Sequence, residues 1–156
     1  MKSGGGVSAV VSAARYNSTV SASKEVVIKR MIDLEEEEKD LFLKEVKLLN
    51  FLNRPNIVKF HGICISPPAI MLEYMYFDFS LFDDRDHKVH SLKEFLFELS
   101  GGDLNDFALV IPVIASGVTN ELSFLHENGV VHRDLKPANV LVSNQKYPLE
   151  KHFCCS

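Results

Sequence analysis

Tryptophan is absent from the 156 residues, and cysteine is scarce, with Cys64, Cys154 and Cys155 alone. Three thiols without regular spacing make neither a disulfide framework nor a metal site, so reduced thiols in a cytoplasmic protein are expected. Long apolar runs are also missing. The most apolar stretch, Phe107 to Val118, is broken by Pro112 and falls short of a membrane span. The opening MKSGGGVSAVV holds no apolar core of leader length, and the terminal FCCS has Phe153 where a prenylation signal needs cysteine. Excess charge of either sign is lacking. The net charge is −4 and the 17 basic residues are scattered, which excludes an electrostatic footprint on nucleic acid. With 46% apolar and 24% charged residues, the composition instead fits one compact domain.

Along the chain, residues 1–24 are rich in Gly, Ser and Ala and predict an exposed loop or a short β-hairpin. Val26-Val27-Ile28 is a β-branched run of the kind that forms a buried strand. A helix follows, with Asp33 as cap, Glu36 three residues on, and Glu35 to Glu38 crowding the positive end of its dipole. It is expected to run to about Leu52, before the turn signal Asn53-Arg54-Pro55-Asn56. Ile57 to Ile65 and Ala69 to Tyr74, separated by Ser66-Pro67-Pro68, predict strand, turn and strand. Residues 76–105 predict a surface segment with a short helix over about 91–99.

A second long helix is expected from Asp106 to Glu127. Ile111, Ala115, Val118, Leu122 and Leu125 would form its apolar face, and Gly129 would stop it. Val130-Val131 and Val140-Leu141-Val142 are expected as short strands flanking a charged loop, 132–139. The order implies an α+β chain in which a small sheet lobe joins a helical lobe, with a cleft between them.

The charged loop reads His132-Arg133-Asp134-Leu135-Lys136-Pro137-Ala138-Asn139. Its side chains are those phosphoryl transfer needs. A carboxylate can accept the proton of a hydroxyl, an ammonium can neutralise a phosphate, and a carboxamide oxygen can bind Mg²⁺. A charged surface turn would not be expected to match every fixed position of H-R-D-L-x-x-x-N. The histidines outside the loop, His61, His87, His90, His126 and His152, show no such pattern and read as surface or internally satisfied side chains.

The stretch GVVHRDLKPANVLV (129–142) resembles the catalytic loop of eukaryotic protein kinases with its flanking segments. The resemblance implies that Asp134 is the catalytic base, Asn139 a magnesium ligand and Lys136 the phosphate-facing lysine. His132 and Arg133 would support the loop. Lysine and proline after Leu135 look like the serine/threonine-specific form, within or near the tyrosine-kinase-like group. Val26-Val27-Ile28-Lys29 is similar to the family's V-A-I-K strand, which makes Lys29 the partner of the α- and β-phosphates and puts Val27 beside the adenine. Glu45 is its expected partner on the helix. It falls in line with Leu41, Leu48 and Leu52, where a carboxylate interrupts an apolar stripe and calls for a cation.

RPNIVKFHGIC (54–64) is similar to the family's H-P-N-I-V segment, with Arg54 in place of His. Residues 4–11 fit the phosphate-covering loop at Gly4, Gly6 and Val11, with Ala9 where the third glycine belongs. AIMLEYM (69–75) resembles the hinge. Leu72 would be the gatekeeper, the backbones of Glu73 and Met75 would bond adenine, and Leu141 would lie beneath the base.

The resemblance thus implies a two-lobed kinase-like fold with a partial domain over 1–145: an N-lobe at about 4–72, a hinge at 73–77, a partial C-lobe at 78–145, and a divergent tail at 146–156. It implies ATP and Mg²⁺ as cofactors and transfer of the γ-phosphate to a protein hydroxyl on a substrate the sequence does not name. Neither D-F-G nor A-P-E follows Asn139 within the 156 residues. A non-catalytic nucleotide-binding or interaction module is therefore the alternative expectation, and helix 106–127 would expose apolar surface that a kinase or scaffold partner covers. A small-molecule phosphotransferase would not be expected to combine Arg133, Lys136 and Pro137 with V-V-I-K.

Overall fold

The computed structural model describes residues 9–18, 21–32, 35–81, 86–100 and 110–144. It divides into two compact units, Met1–Tyr74 and Met75–Ser156.

In the first unit, strands β1 (Ala9–Ser18) and β2 (Ser21–Met31) form one long antiparallel hairpin. It extends well beyond the short apolar run that signals it, because β1 supplies small and β-branched residues that pack at any pleat position. Helix α1 (Glu36–Phe51) follows, then β3 (Phe60–Ile65) and β4 (Pro68–Glu73), giving a four-stranded antiparallel sheet of order β1-β2-β4-β3. Residues 57–59 stay outside the strand, so β3 is shorter than the apolar run Ile57 to Ile65.

The helix start lies beyond Asp33, which is outside the described residues. The first cap belongs to Glu35, whose backbone N–H donates to the Glu38 carboxylate at 3.0 Å. The register of the sheet decides what lies under α1. Met31 and Ile70, almost fully buried, pack with Phe42 of α1, and Val46, Leu49, Phe60 and Leu72 close around them. Leu41 and Leu48 are exposed, at 55% and 37%, so the buried stripe of α1 runs through Phe42, Val46 and Leu49 rather than through Leu41 and Leu48.

The second unit is built on aromatic packing. Strands β5 (Phe77–Asp78) and β6 (Lys88–Val89) pair, and helices α2 (Leu92–Ser100) and α3 (Val110–Glu127) follow. Phe77, Phe79 and Phe95 meet at centroid distances of 4.9 to 5.7 Å, with Val89, Leu99, Val110 and Val142 around them. Phe77, Phe79 and Val89, expected in a surface segment, thus supply the centre of this core. The acidic and basic residues between its aromatics hide that role in the sequence.

The buried side of α3 also differs from the expected stripe. Val110, Glu121 and Leu125 are buried and Ile114 packs on the aromatic core, whereas Ile111 is 36% exposed. Gly129, at φ 72°, ends the helix as expected. Its N–H donates to the His126 carbonyl at 3.0 Å, and that of Val130 to the Leu125 carbonyl at 2.8 Å, the paired bonds of a Schellman motif. The segments flanking 132–139 are not strands. Leu141 makes a single antiparallel bridge with Ser91, flanked by bonds from the Leu92 N–H to the Val140 carbonyl and from the Val142 N–H to the His90 carbonyl.

Helix α2 begins with a reciprocal capping box that the sequence Ser91-Leu92-Lys93-Glu94 encodes. The Ser91 N–H donates to the Glu94 carboxylate at 3.1 Å, and the Glu94 N–H donates to the Ser91 hydroxyl at 3.3 Å. The Glu94 carboxylate takes a further bond from the His90 N–H at 2.8 Å. That backbone hydrogen bond is the first cause holding the Glu94 carboxyl below its ordinary value. Because the folded form has the lower pKa, this stabilisation is complete above the ordinary carboxylate range. It is lost as the pH falls through the lowered value. Glu94→Gln, which keeps an acceptor oxygen but loses the charge, is accordingly expected to lower the urea midpoint modestly at neutral pH and by less in acid.

Candidate functional site

In the first unit the sheet register sets four of the proposed nucleotide residues on one face. Val11 lies opposite Lys29, Ala13 opposite Val27, and Val27 in turn opposite Leu72. Directly paired residues share a side of the pleat and alternate residues return to it, so Val11, Val27, Lys29 and Leu72 line the same face. Helix α1 packs against that face through Phe42, and Glu45 stands one turn further along. The Lys29 Nζ is 2.7 Å from the Glu45 Oε1.

Glu45 is not buried, contrary to the expectation. Its side chain is 41% exposed and that of Lys29 32%. An ion pair this open contributes about 0–1 kcal/mol to stability. Folding energy therefore does not explain why a helix carboxylate and a central-strand lysine are held in contact, and the pair is suited to holding an ammonium ready for an anion. Gly4 and Gly6 lie outside the described residues.

In the second unit the loop 132–139 is compact and exposed throughout. Arg133 has φ 62°, the one non-glycine residue with positive φ among the described residues. A conformation that costs an L-residue roughly 1–2 kcal/mol is kept here by the bonds on either side of it. The Asp134 N–H donates to the His132 carbonyl at 2.8 Å, closing the turn around Arg133. The Asn139 Nδ2 donates both to the Asp134 carbonyl and to its Oδ2, each at 2.8 Å. Lys136 Nζ reaches the same Oδ2 at 2.9 Å. A short 3₁₀ turn, Pro137–Asn139, places the asparagine, with its N–H on the Lys136 carbonyl at 2.9 Å.

The hydrogen bond from Lys136, then that from Asn139, holds the Asp134 carboxyl below its ordinary value, so it is ionised at neutral pH. Held by Asn139 and Lys136, the Asp134 carboxylate is suited to accept a hydrogen bond in a fixed direction. Both Asn139 bonds run to acceptors, which assigns its Nδ2 to Asp134 and turns its Oδ1 away. None of the described residues donates to that oxygen. A free, exposed carboxamide oxygen beside an ionised aspartate is the hard donor chemistry that suits Mg²⁺, so the residues present fit that ion. No group of three or more His, Cys, Asp or Glu able to hold a metal occurs among the described residues.

The segment between β4 and β5 carries the remaining positions. The Glu73 N–H donates to the Lys59 carbonyl at 2.9 Å. The carbonyl of Met75, a half-buried residue, lies 2.9 Å from the Nδ1 of His90, while no described residue accepts from its N–H. Leu141 is 46% exposed at its bridge with Ser91. His90 is the residue that sequence reasoning passed over. No periodicity marks it, although the capping motif one residue later shows that its backbone is fixed.

A sheet with one packed helix, an Asp-Lys-Asn loop and a partial helical unit together define a kinase-type α+β fold. The family model for the protein kinase domain matches residues 2–150, and the chain belongs to that family. It is similar to cysteine-rich receptor-like protein kinase 28 of Arabidopsis thaliana, at 29% identity over 136 residues, 85% of this chain and 18% of that protein. It is similar also to probable cyclin-dependent kinase 8 of Dictyostelium discoideum, at 34% over 102 residues, 65% of this chain and 24% of that protein. Receptor-like serine/threonine-protein kinase SD1-7 of Arabidopsis thaliana is 28% identical over 141 residues, 88% of this chain and 15% of that protein. The chain thus spans 15% to 24% of the length of these curated relatives. Among the described residues no helix is long and apolar enough to cross a membrane.

Proposed function

We propose that this chain is the ATP-binding part of a serine/threonine-type protein kinase domain. Its N-lobe would lie at about 4–72, its hinge at 73–77 and its partial C-lobe at 78–145. The contact between Lys29 and Glu45 carries the reading, because it holds an ammonium on the same sheet face as Val11, Val27 and Leu72. Lys29 binds the α- and β-phosphates. Gly4 and Gly6 cover the phosphates, Glu73 and Met75 present backbone groups to the base, and Leu141 packs beneath it. Asn139 would help hold Mg²⁺, which would supply charge neutralisation to the phosphates.

In the reaction, a serine or threonine oxygen of a protein substrate bonds to the γ-phosphorus while the bond to the β–γ bridging oxygen breaks. ADP leaves, and the hydroxyl proton passes to the Asp134 carboxylate. Lys136 moves from Asp134 to the transferring phosphoryl group. The protein acts in the cytoplasm, with a kinase or scaffold partner over the exposed part of α3, where Ile111 and Val113 face outward.

The second reading is a nucleotide-binding module without turnover. It needs only the nucleotide residues of the first unit, where Lys29 meets Glu45. Incubation with γ-labelled Mg·ATP and a pool of Ser/Thr peptides separates the two. A kinase incorporates label, and Asp134→Asn lowers the rate by a factor on the order of 10³. Saturable Mg·ATP binding without label transfer selects the second reading, and absence of nucleotide binding contradicts both.

A further inference from the structure

We propose that His90 is a positioning residue that ties the hinge to the segment after the 132–139 loop and sets the base preference of the site. The proposal rests on the reading of residues 73–77 as the hinge. Three bonds converge on His90, all within the second unit. Its ring Nδ1 is 2.9 Å from the Met75 carbonyl. Its backbone N–H donates to the Glu94 carboxylate at 2.8 Å, and its carbonyl accepts from the Val142 N–H at 3.1 Å. The Leu92 N–H donates to the Val140 carbonyl at 2.8 Å, so the entrance of α2 is fastened to residues 140–142 on both sides of Leu141.

A carbonyl oxygen can only accept, so the Nδ1 of His90 carries the proton. Met75 is then asymmetric. Its carbonyl is engaged and its orientation fixed, while its N–H, in a half-buried residue, has no acceptor among the described residues. An unpaired backbone donor with restricted access to water gains by meeting an acceptor. Met75 therefore favours a base edge that presents a ring-nitrogen acceptor, as adenine does. Guanine presents N–H donors beside O6 along that edge and would need the Met75 carbonyl, one lone pair of which His90 engages and whose direction it fixes. Removing the ring donor frees the carbonyl, loosens the tie to residues 140–142 and weakens the discrimination.

The test uses the full 156-residue chain with carbonyl-¹³C methionine, and three forms: wild type, His90→Phe and His90→Asn. Phe keeps the ring volume and lacks a donor. Asn keeps an N–H at nearly the same reach. The Met75 carbonyl resonance, read without nucleotide, is expected to move in His90→Phe and to stay close to wild type in His90→Asn. The ratio of Mg·ATP to Mg·GTP affinity is expected to fall about tenfold in His90→Phe and to recover to within about twofold in His90→Asn, the scale of one hydrogen bond. A purely structural role would weaken both nucleotides alike and leave the ratio unchanged. An unmoved resonance in His90→Phe overturns the bond, and a moved resonance with an unchanged ratio overturns the role in base preference. If wild type bound neither nucleotide while the resonance still moved, the hinge reading would fail and the His90–Met75 tie would stand.

Discussion

Lys29→Met is expected to weaken Mg·ATP binding about thirtyfold, close to 2 kcal/mol, while leaving the fold intact. Hydrogen bonds between an ammonium and phosphate oxygens are charge-assisted and sit at the strong end of the range. Methionine keeps the aliphatic length, so packing beside Val27 and Ile70 is preserved and the charge alone is lost. The ion pair with Glu45 is too exposed for its removal to cost more than about 1 kcal/mol of stability. A loss of binding without a comparable loss of stability would therefore separate the functional role of Lys29 from a structural one. Glu45→Gln is expected to act in the same direction with a smaller effect, because a neutral amide can still accept from the lysine. Isothermal titration for binding and urea denaturation for stability check both halves of the expectation. Affinity equal to wild type in Lys29→Met would remove Lys29 from the site.

Phe95→Ala is expected to cost about 3–5 kcal/mol of stability. Phe95 is fully buried, 4.9 Å from Phe77 and 5.7 Å from Phe79 between ring centroids. Truncation loses the transfer energy of the ring, leaves a cavity, and removes two aromatic pairs worth about 0.5–1.5 kcal/mol each beyond their area. Against a domain stability of about 5–15 kcal/mol, the loss is a large fraction of the total. It reaches the site as well, because α2 carries the capping box that fixes His90 and the bridge to Leu141. Phe97, on the same helix, is 76% exposed, and Phe97→Ala is expected to change stability by less than about 0.5 kcal/mol. Tryptophan is absent, so the comparison is read by far-UV circular dichroism in urea. Equal midpoints for the two variants would contradict the aromatic core.

The residues that carry the family were legible in the sequence because chemistry confines them to few types. No common alternative supplies what Asp134, Asn139 and Lys29 would supply, so their spacing survives in the chain as a pattern. The α+β order of elements followed from periodicity and from punctuation such as Gly129. Packing was less legible. On α1, both Leu41-Glu45-Leu48 and Phe42-Val46-Leu49 have helical spacing, and the sheet beneath, with Met31 and Ile70, selects the second. The aromatic core at 77–95 was hidden because its strands are two residues long, too short for alternation to show. His90 was hidden for another reason. Its role depends on a backbone carbonyl 15 residues away, which leaves no side-chain signature.

The most direct test of the account is calorimetric titration of the full chain with ATP, with and without Mg²⁺, beside Lys29→Met. One saturable site is expected in the wild type, tighter with Mg²⁺ than without, and about thirtyfold weaker in the variant. No binding by a folded wild-type chain, or binding indifferent to both Mg²⁺ and Lys29, would contradict it.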